Sequence, residues 1–362
     1  MQTIPSEADL QIAASSDAAA KRGPEPEGRT PVGVWLQPAL IAIVLASAFI
    51  ACYIGLQRDA TPHHLPVAVL GSHLSEQVQN TLGDAVATQP SGSAAAAHAA
   101  LEDRDVVAVL AQEAPGRLVL HVAGANGLST TTAVENLLTA YAHRAGQGLS
   151  ITDDVPLVAY DSRGLAGFYL AFGVTLAGFV LAQNTLALSA RMRLRHRLTL
   201  IVACSAAVGL VGAILAGPML GAVPAPFAPL ALTLALLAAA AAFATKLLGS
   251  FFGAVGVPMA TLLLLTVGNS TSGATIGEDL LPAGAQAVSA ALPPGAAVRA
   301  ITGLSYFSGA HVAPALLTLG LWVLLCAALV WAREAFRRSK RHPGRLLLGA
   351  KSSSSNPNGS NP

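Results

Sequence analysis

Between Gly164 and Val267 the sequence carries almost no charge. The exceptions are a short basic segment from Arg191 to Arg197 and the single Lys246. Each apolar stretch is about as long as the ~20 residues that a helix needs to cross ~30 Å of hydrocarbon. A water-soluble domain has no use for so much continuous apolar helix, so the sequence predicts an integral membrane protein.

Composition supports the same class. Of the 362 residues, 53% are hydrophobic and 11% are charged, whereas soluble domains carry about 25% charged residues. The net charge of +2 is too small to indicate nucleic-acid binding. The three cysteines, Cys52, Cys204 and Cys326, all lie inside apolar runs, which excludes a readable disulfide framework.

Six stretches are predicted to span the membrane, at residues 34–56, 165–186, 198–216, 227–245, 251–267 and 312–332. A cleaved signal peptide is the competing interpretation of the first, but its apolar core exceeds the ~7–15 residues of such a peptide. We therefore expect a retained anchor. Lys246 is expected at the inner surface, where the fourth and fifth spans turn and its ammonium reaches water.

The polar region 57–163 is predicted to form an α/β domain of about one hundred residues. Strands are expected at 66–70, 106–110 and 118–122, and helices at 72–86, 91–101 and 129–144. Region 1–33 is expected to be a disordered cytoplasmic tail, and 333–362 is expected to be a cytoplasmic tail that is basic at first and then disordered.

Basic residues predict the orientation, because Lys and Arg near span ends favour the cytoplasmic side. With the N-terminus inside and six crossings, the inner side receives 15 of the 21 Lys and Arg residues. The fold class is then an α-helical polytopic membrane protein with an extracellular α/β domain between its first and second helices. Both termini are cytoplasmic, and the Ala-, Gly- and Pro-rich composition suggests the plasma membrane of a bacterium.

No residue set predicts catalysis, so we expect neither an enzyme nor a cofactor held by this chain. Asp153, Asp154 and Asp161 precede the second span and are interpreted as a solvated rim, with a cation site as the alternative. External histidines invite a metal site, but their spacing matches no ligand template, and none is predicted. They are His63, His64, His73, His98, His121, His143 and His311.

Two segments are singled out for function. The first is the basic segment. Its simpler interpretation is a topology anchor in contact with anionic lipid, and the alternative is a docking element for a cytoplasmic partner. The second is 268–311, where Gly and Pro residues punctuate two short helical patterns, around 284–292 and 296–304. We expect short helices there at the outer interface, with a re-entrant or lid role.

The order of these features resembles the type-2 ABC exporter permeases, and especially the actinobacterial branch near the phage-infection-protein (YhgE/Pip) group. The resemblance covers about residues 34–332. Its motifs are architectural, and they are Asp161–Gly164, Gly268–Gly273, Leu281-Pro282, Leu292–Gly295 and Tyr306-Phe307.

This resemblance implies a dimeric permease, as a homodimer or a heterodimer, that works with a separate ATPase subunit carrying the ATP. The chain itself has no phosphate-cradling GxxxxGK[ST] motif. The implied ATPase-coupling residues are Arg191, Arg193, Arg195 and Arg197. The implied external re-entrant segment contains Pro282, Pro293, Pro294, Gly295, Tyr306 and Phe307.

The leading hypothesis is therefore a permease subunit that exports a lipid-like or amphipathic compound. The spans carry no Asp, Glu or Arg at mid-membrane, which argues against an ion-coupled carrier. The alternative is a non-transport membrane anchor or secretion-system accessory that displays an extracellular domain.

Overall fold

The structure, a computed structural model, describes residues 32–58, 62–188 and 191–340. The predicted tails at 1–33 and 333–362 fall mostly outside these residues. The chain divides between Val44 and Leu45 into two compact units. The first helix, α1 (Val32–Arg58), therefore begins in one unit and ends in the other. Its later apolar side chains, such as Ile50 and Ile54, are exposed, as expected of a helix that needs hydrocarbon around it.

A five-stranded mixed sheet with helices follows α1. Its elements are β1 (Leu65–Leu70), α2 (Ser72–Leu82), β2 (Val86–Ser91), α3 (Ala94–Glu102), β3 (Ala108–Ala114), β4 (Arg117–Val122), α4 (Leu128–Arg144) and β5 (Gly148–Asp153). The strand order is β2-β1-β3-β4-β5. Only β3 and β4 pair antiparallel, with Leu110 opposite Leu120, and the other neighbours are parallel. We call residues 62–164 the sheet domain.

The sequence missed both edge strands. The helix predicted to reach Val86 ends at Leu82, and Val86 instead begins β2. Strand β5 has almost no buried side chain, so it lacks the alternating pattern on which a strand prediction depends. The other three strands and three helices match the predicted positions within a few residues, as is usual for boundaries read from sequence.

Hydrophobic side chains cover both faces of the sheet. The larger core contains Val67 and Val69 of β1 together with Val134 and Leu138 of α4. The second core contains Ala68, which lies between those two valines, and Leu101 of α3. Successive residues of a strand point to opposite faces, so these two cores lie on opposite sides of the sheet. We call them the α4 core and the α3 core.

The rest of the described chain is helical. Its elements are α5 (Ala166–Ala187), α6 (Leu194–Ile214), α7 (Phe227–Phe252), α8 (Gly256–Ala260), α9 (Ala283–Ala291), α10 (Pro293–Tyr306) and α11 (Val312–Lys340). Wider π-helical turns continue α6 to Met219 and α8 to Gly268. In the described residues, five helical stretches are long and apolar enough to cross a membrane: Leu36–Leu56, Ala166–Ala187, Leu194–Met219, Phe227–Gly268 and Val312–Arg337. The protein is therefore a polytopic helical membrane protein.

The longest of these stretches has 42 residues and turns back on itself. The turn is at Gly253, whose φ of 60° suits glycine, and not at the predicted break near Gly249. After the turn, a Cβ on Gly256 would overlap the carbonyl oxygen of Leu248. Leu264 belongs to the same hydrophobic cluster as Ala242.

Candidate functional site

The segment between α8 and α11 is buried on one side among the membrane helices. Ala297 and Ala300 of α10 share a hydrophobic cluster with Ala171 of α5, Leu234 of α7 and Leu319 of α11. The helix starts with Pro293, a residue well suited to the first helical turn because it has no N–H to leave unpaired. Helix α10 is therefore part of the bundle core and does not lie loosely on its surface.

Glycine makes this close packing possible. A Cβ on Gly295 would overlap the carbonyl oxygen of Ser289 in the neighbouring α9. A Cβ on Gly268 would lie only 2.9 Å from Cγ of Pro294. Backbone-to-backbone approaches of this kind let small residues pack helices tightly in a membrane, where lipid gives no hydrophobic driving force.

The chain just before α9 enters the sheet domain. Ile276 and Leu280 belong to the α4 core, and Leu280 is only 4% exposed. Ser129 of α4 donates a hydrogen bond to the carbonyl oxygen of Thr275 across 3.3 Å. Gly277 approaches Thr130 so closely that a Cβ would overlap its hydroxyl. This stretch therefore completes a core that the domain's own sequence leaves open.

The chain just after α10 enters the other face of the same domain. Phe307 is 2% exposed and belongs to the α3 core, with Ala68, Val109 and Ala125. Residues 276–307 thus contribute to both faces of the sheet and to the helix bundle between those two contacts. We call residues 276–307 the clasp.

Two arginines make polar and cation–π contacts with residues of the clasp. Arg299 of α10 donates hydrogen bonds to Oε1 of Glu278 at 3.0 Å, to Oγ of Ser289 at 3.1 Å and to the carbonyl oxygens of Ser289 and Ala290. Arg104 of the sheet domain donates to Oδ1 of Asn126 and lies 5.7 Å from the ring centre of Phe307. Both arginines line a small polar cavity of about 40 Å³, which has room for only a few waters.

The charges around Arg104 are balanced within the site. Burial lowers the pKa of the Arg104 guanidinium, an effect that Glu278 and Asp279 oppose. Burial also raises the pKa of the Asp279 carboxyl, which Arg104 opposes in turn. Removing either charge would leave the other less well compensated in a poorly solvated place.

A larger cavity of about 690 Å³ opens at the start of α9. Its wall combines residues that precede β1, among them His63 and His64, with Asp279, Leu281 and Gln286 of the clasp. The cavity therefore lies where the sheet domain meets the clasp, and it would change shape if the two moved apart.

The basic segment lies at the opposite end of the helices from Gly217 and Pro218. Arg191, Arg193 and Arg195 are exposed, but Arg197 is buried and donates a hydrogen bond to Oε1 of Glu334 across 3.0 Å. The segment is also not all loop, because α6 begins at Leu194. The four arginines therefore do not form one uniform surface: three are free to meet a partner and one joins α6 to α11.

Lys246 differs from the sequence-based expectation. It is 2% exposed and lies within α7, seven residues before the turn at Gly253, so its side chain does not reach the water. Within the part of the chain that the structure describes, its Nζ has no hydrogen-bond partner. The charged groups that interact with it electrostatically are Arg197 and Glu334.

The predicted re-entrant residues have different environments. Pro293, Pro294 and Gly295 are buried in the bundle, and Phe307 is buried in the sheet domain. Pro282 is exposed and precedes α9, and Tyr306 is half-buried. Sequence reasoning missed Ile276, Leu280, Glu278 and Arg299, because nothing local in the sequence indicates which distant surface a residue will contact.

Comparison with known proteins gives no match to any family model, to any curated protein or to any solved structure.

Proposed function

We propose that this chain is the permease subunit of an ABC-type exporter, which moves a lipid-like or amphipathic compound outward and is powered by a separate ATPase. In this proposal the 42-residue stretch makes two crossings, which gives six in total. The sheet domain lies outside a bacterial plasma membrane, both termini lie in the cytoplasm, and two permease chains form the working unit.

The clasp is the observation that carries the proposal. It inserts α10 among α5, α7 and α11, and it ties both ends of that insertion to one rigid sheet. Irregular backbone at membrane depth is tolerated only where protein covers it or where it lines a cavity. A buried, domain-held insertion of this kind suits an outer gate whose opening is coupled to movement of the domain.

The opposite end of the helices suits a coupling surface. Arg191, Arg193 and Arg195 are exposed at the start of α6, while Arg197 fastens that start to Glu334 of α11. A force that an ATPase applies to the three exposed arginines would therefore reach two membrane helices at once. Arg197 acts in this scheme as an internal link and not as a contact to the ATPase.

An apolar groove between α5 and α6 suits a lipid-like cargo. It has a volume of about 410 Å³ and is lined by residues such as Leu170, Gly173, Val208 and Val211. Gly173 has open space in front of it, which widens the groove. A groove of this chemistry accepts an acyl chain without desolvating any charge.

The test is to cross-link α10 to α5, so that the proposed gate cannot open. A Cβ on Gly167 of α5 would lie 3.6 Å from Cγ2 of Ile301 in α10, so side chains at these two positions touch and a disulfide between cysteines placed there can be tested. The double variant Gly167→Cys/Ile301→Cys is made in a chain whose three native cysteines are replaced by serine. It is reconstituted in liposomes with the co-purifying ATPase and a fluorescent phospholipid as the transport probe.

Oxidation should stop outward movement of the phospholipid and lower ATP hydrolysis, and a reductant should restore both. Each single-cysteine variant is the matched control and should be unaffected by oxidation. Unchanged transport in the locked protein would overturn the gate proposal. If no ATPase co-purifies and no probe moves, the chain is instead the non-transport anchor that displays an extracellular domain.

A further inference from the structure

Two histidines and an aspartate meet on the sheet domain. Nδ1 of His98 lies 3.0 Å from Oδ2 of Asp154, and Nδ1 of His121 lies 3.0 Å from Oδ1 of the same carboxylate. The two imidazole rings are 4.5 Å apart and nearly perpendicular. All three side chains are partly exposed, so the cluster is open to solvent.

The fold explains why residues so far apart in sequence meet here. His121 lies between Leu120 and Val122, whose side chains belong to the α4 core, so its ring points to the α3 side of the sheet. Helix α3 packs on that side through Ala97 and Leu101, which places His98 next to the sheet. Asp154 directly follows β5, the parallel neighbour of β4.

Backbone bonds hold the carboxylate in position. The N–H of Asp154 donates to the carbonyl oxygen of Val122 across 2.9 Å. The preceding Asp153 uses its carboxylate differently, accepting from the N–H groups of Gly124 and Val155. The two adjacent aspartates therefore have different partners: the Asp153 carboxylate accepts hydrogen bonds from the backbone, and both carboxylate oxygens of Asp154 face imidazole rings.

The ligand atoms have the spacing of a metal site. One ligand atom from each of the three residues can be chosen so that all lie within 4.8 Å of one another. In a tetrahedral zinc site the ligand atoms lie about 2.0–2.2 Å from the ion, so neighbouring ligand atoms are about 3.3–3.6 Å apart. The two 3.0 Å distances run to different oxygens of Asp154, so an ion that takes one of these oxygens needs the rings to shift until all three ligand atoms surround it.

We propose that His98, His121 and Asp154 bind a divalent transition metal ion, with zinc as the favoured ion and water in the fourth position. Two imidazoles with one carboxylate suit zinc and its neighbours, whereas calcium and magnesium prefer oxygen ligands alone. A bound ion would join α3, β4 and the end of edge strand β5. It would therefore brace the chain that leads from the domain into α5, independently of any transport function.

The experiment uses the full chain in detergent, purified with a tag that contains no histidine and treated with a chelator. Zinc chloride is titrated by calorimetry, and cobalt replaces zinc to report tetrahedral coordination by its visible absorption. The variants are His98→Ala, His121→Ala and Asp154→Ala. The matched control is His143→Ala, because His143 is an exposed histidine of α4 in the same domain.

We expect one zinc ion per chain, a cobalt spectrum of tetrahedral type and no response to calcium. Each ligand variant should bind zinc at least about tenfold more weakly, and the control should bind it as the wild type does. His98 is a partly exposed helix residue, so its variant keeps the fold and must still lose zinc. Absence of zinc uptake by the wild type, or uptake that survives in His98→Ala, would overturn the proposal.

Discussion

Leu280 and Phe307 lie in the two hydrophobic cores on opposite faces of the same sheet, although neither belongs to the sheet domain's own stretch of sequence. Both come from the clasp, whose central helix is buried among the membrane helices. The domain cannot separate from the clasp without exposing both cores. The sheet domain and the end of the helix bundle that carries the clasp are therefore one mechanical unit.

Truncating Leu280 should destabilise the sheet domain from a distance. Leu280→Ala removes a buried side chain from the α4 core, and such changes cost about 2–5 kcal/mol. We expect faster proteolysis within 62–164 and a lower melting temperature in detergent. The matched control is Leu128→Ala, since Leu128 is an exposed leucine of α4. Equal protease resistance in the two variants would show that the clasp does not support the domain.

Gly209 should be intolerant of a single added methyl group. A Cβ at this position of α6 would lie 2.5 Å from the carbonyl oxygen of Ala231 in α7, so Gly209→Ala must push the two helices apart. Overpacking of this kind costs about 1–3 kcal/mol, and we expect a clear drop in melting temperature. Gly173→Ala is the control, because a Cβ there meets open space. A similar drop in both variants would mean that the contact between α6 and α7 at Gly209 does not cause the loss of stability.

Lys246 should be replaceable by an apolar residue with a gain in stability. Its buried Nζ has no hydrogen-bond partner among the described residues, and a buried charge without a partner costs free energy. We expect Lys246→Met to raise the melting temperature. Arg197→Met, which leaves Glu334 without its hydrogen bond, should lower it. A large loss of stability in Lys246→Met would instead indicate that the ammonium has an essential partner.

In the proposed exporter, reversing the exposed basic charges should abolish association with the separate ATPase. The triple variant Arg191→Glu/Arg193→Glu/Arg195→Glu changes side chains that are exposed at the start of α6, so folding should be kept, and membrane insertion is checked before binding is measured. Co-purification of the ATPase is the measurement. The control reverses Arg117, Arg144 and Arg163, three exposed arginines on the other predicted side of the membrane. An ATPase that still binds the first variant would remove the coupling role of this segment.

The sequence predicted the parts of the fold that have a local signal. The apolar runs located the helices, and the buried strands β1, β3 and β4 were recognisable from their Val and Leu content. Edge strand β2 contains Pro90, which is typical of edges and obscures a strand pattern. Edge strand β5 is largely exposed, so its sequence has no core-facing side to detect.

The candidate site was predicted only in outline. Pro293, Pro294 and Gly295 pointed to a re-entrant helix because they punctuate the sequence. The sequence around Leu280 does not indicate that this residue completes a distant core, because the same residues are equally typical of a surface turn. His98, His121 and Asp154 are brought together by sheet register and helix packing, which single-sequence spacing does not encode.

The most direct test of the whole arrangement is the accessibility of two single cysteines in intact cells, in a chain whose native cysteines are replaced by serine. One cysteine replaces the exposed Gln89 of the sheet domain, and the other replaces the exposed Arg193 at the start of α6. A membrane-impermeant maleimide should label the first in intact cells and the second only after permeabilisation. Labelling in the reverse order, or of both from one side, would contradict the topology and the exporter proposal with it.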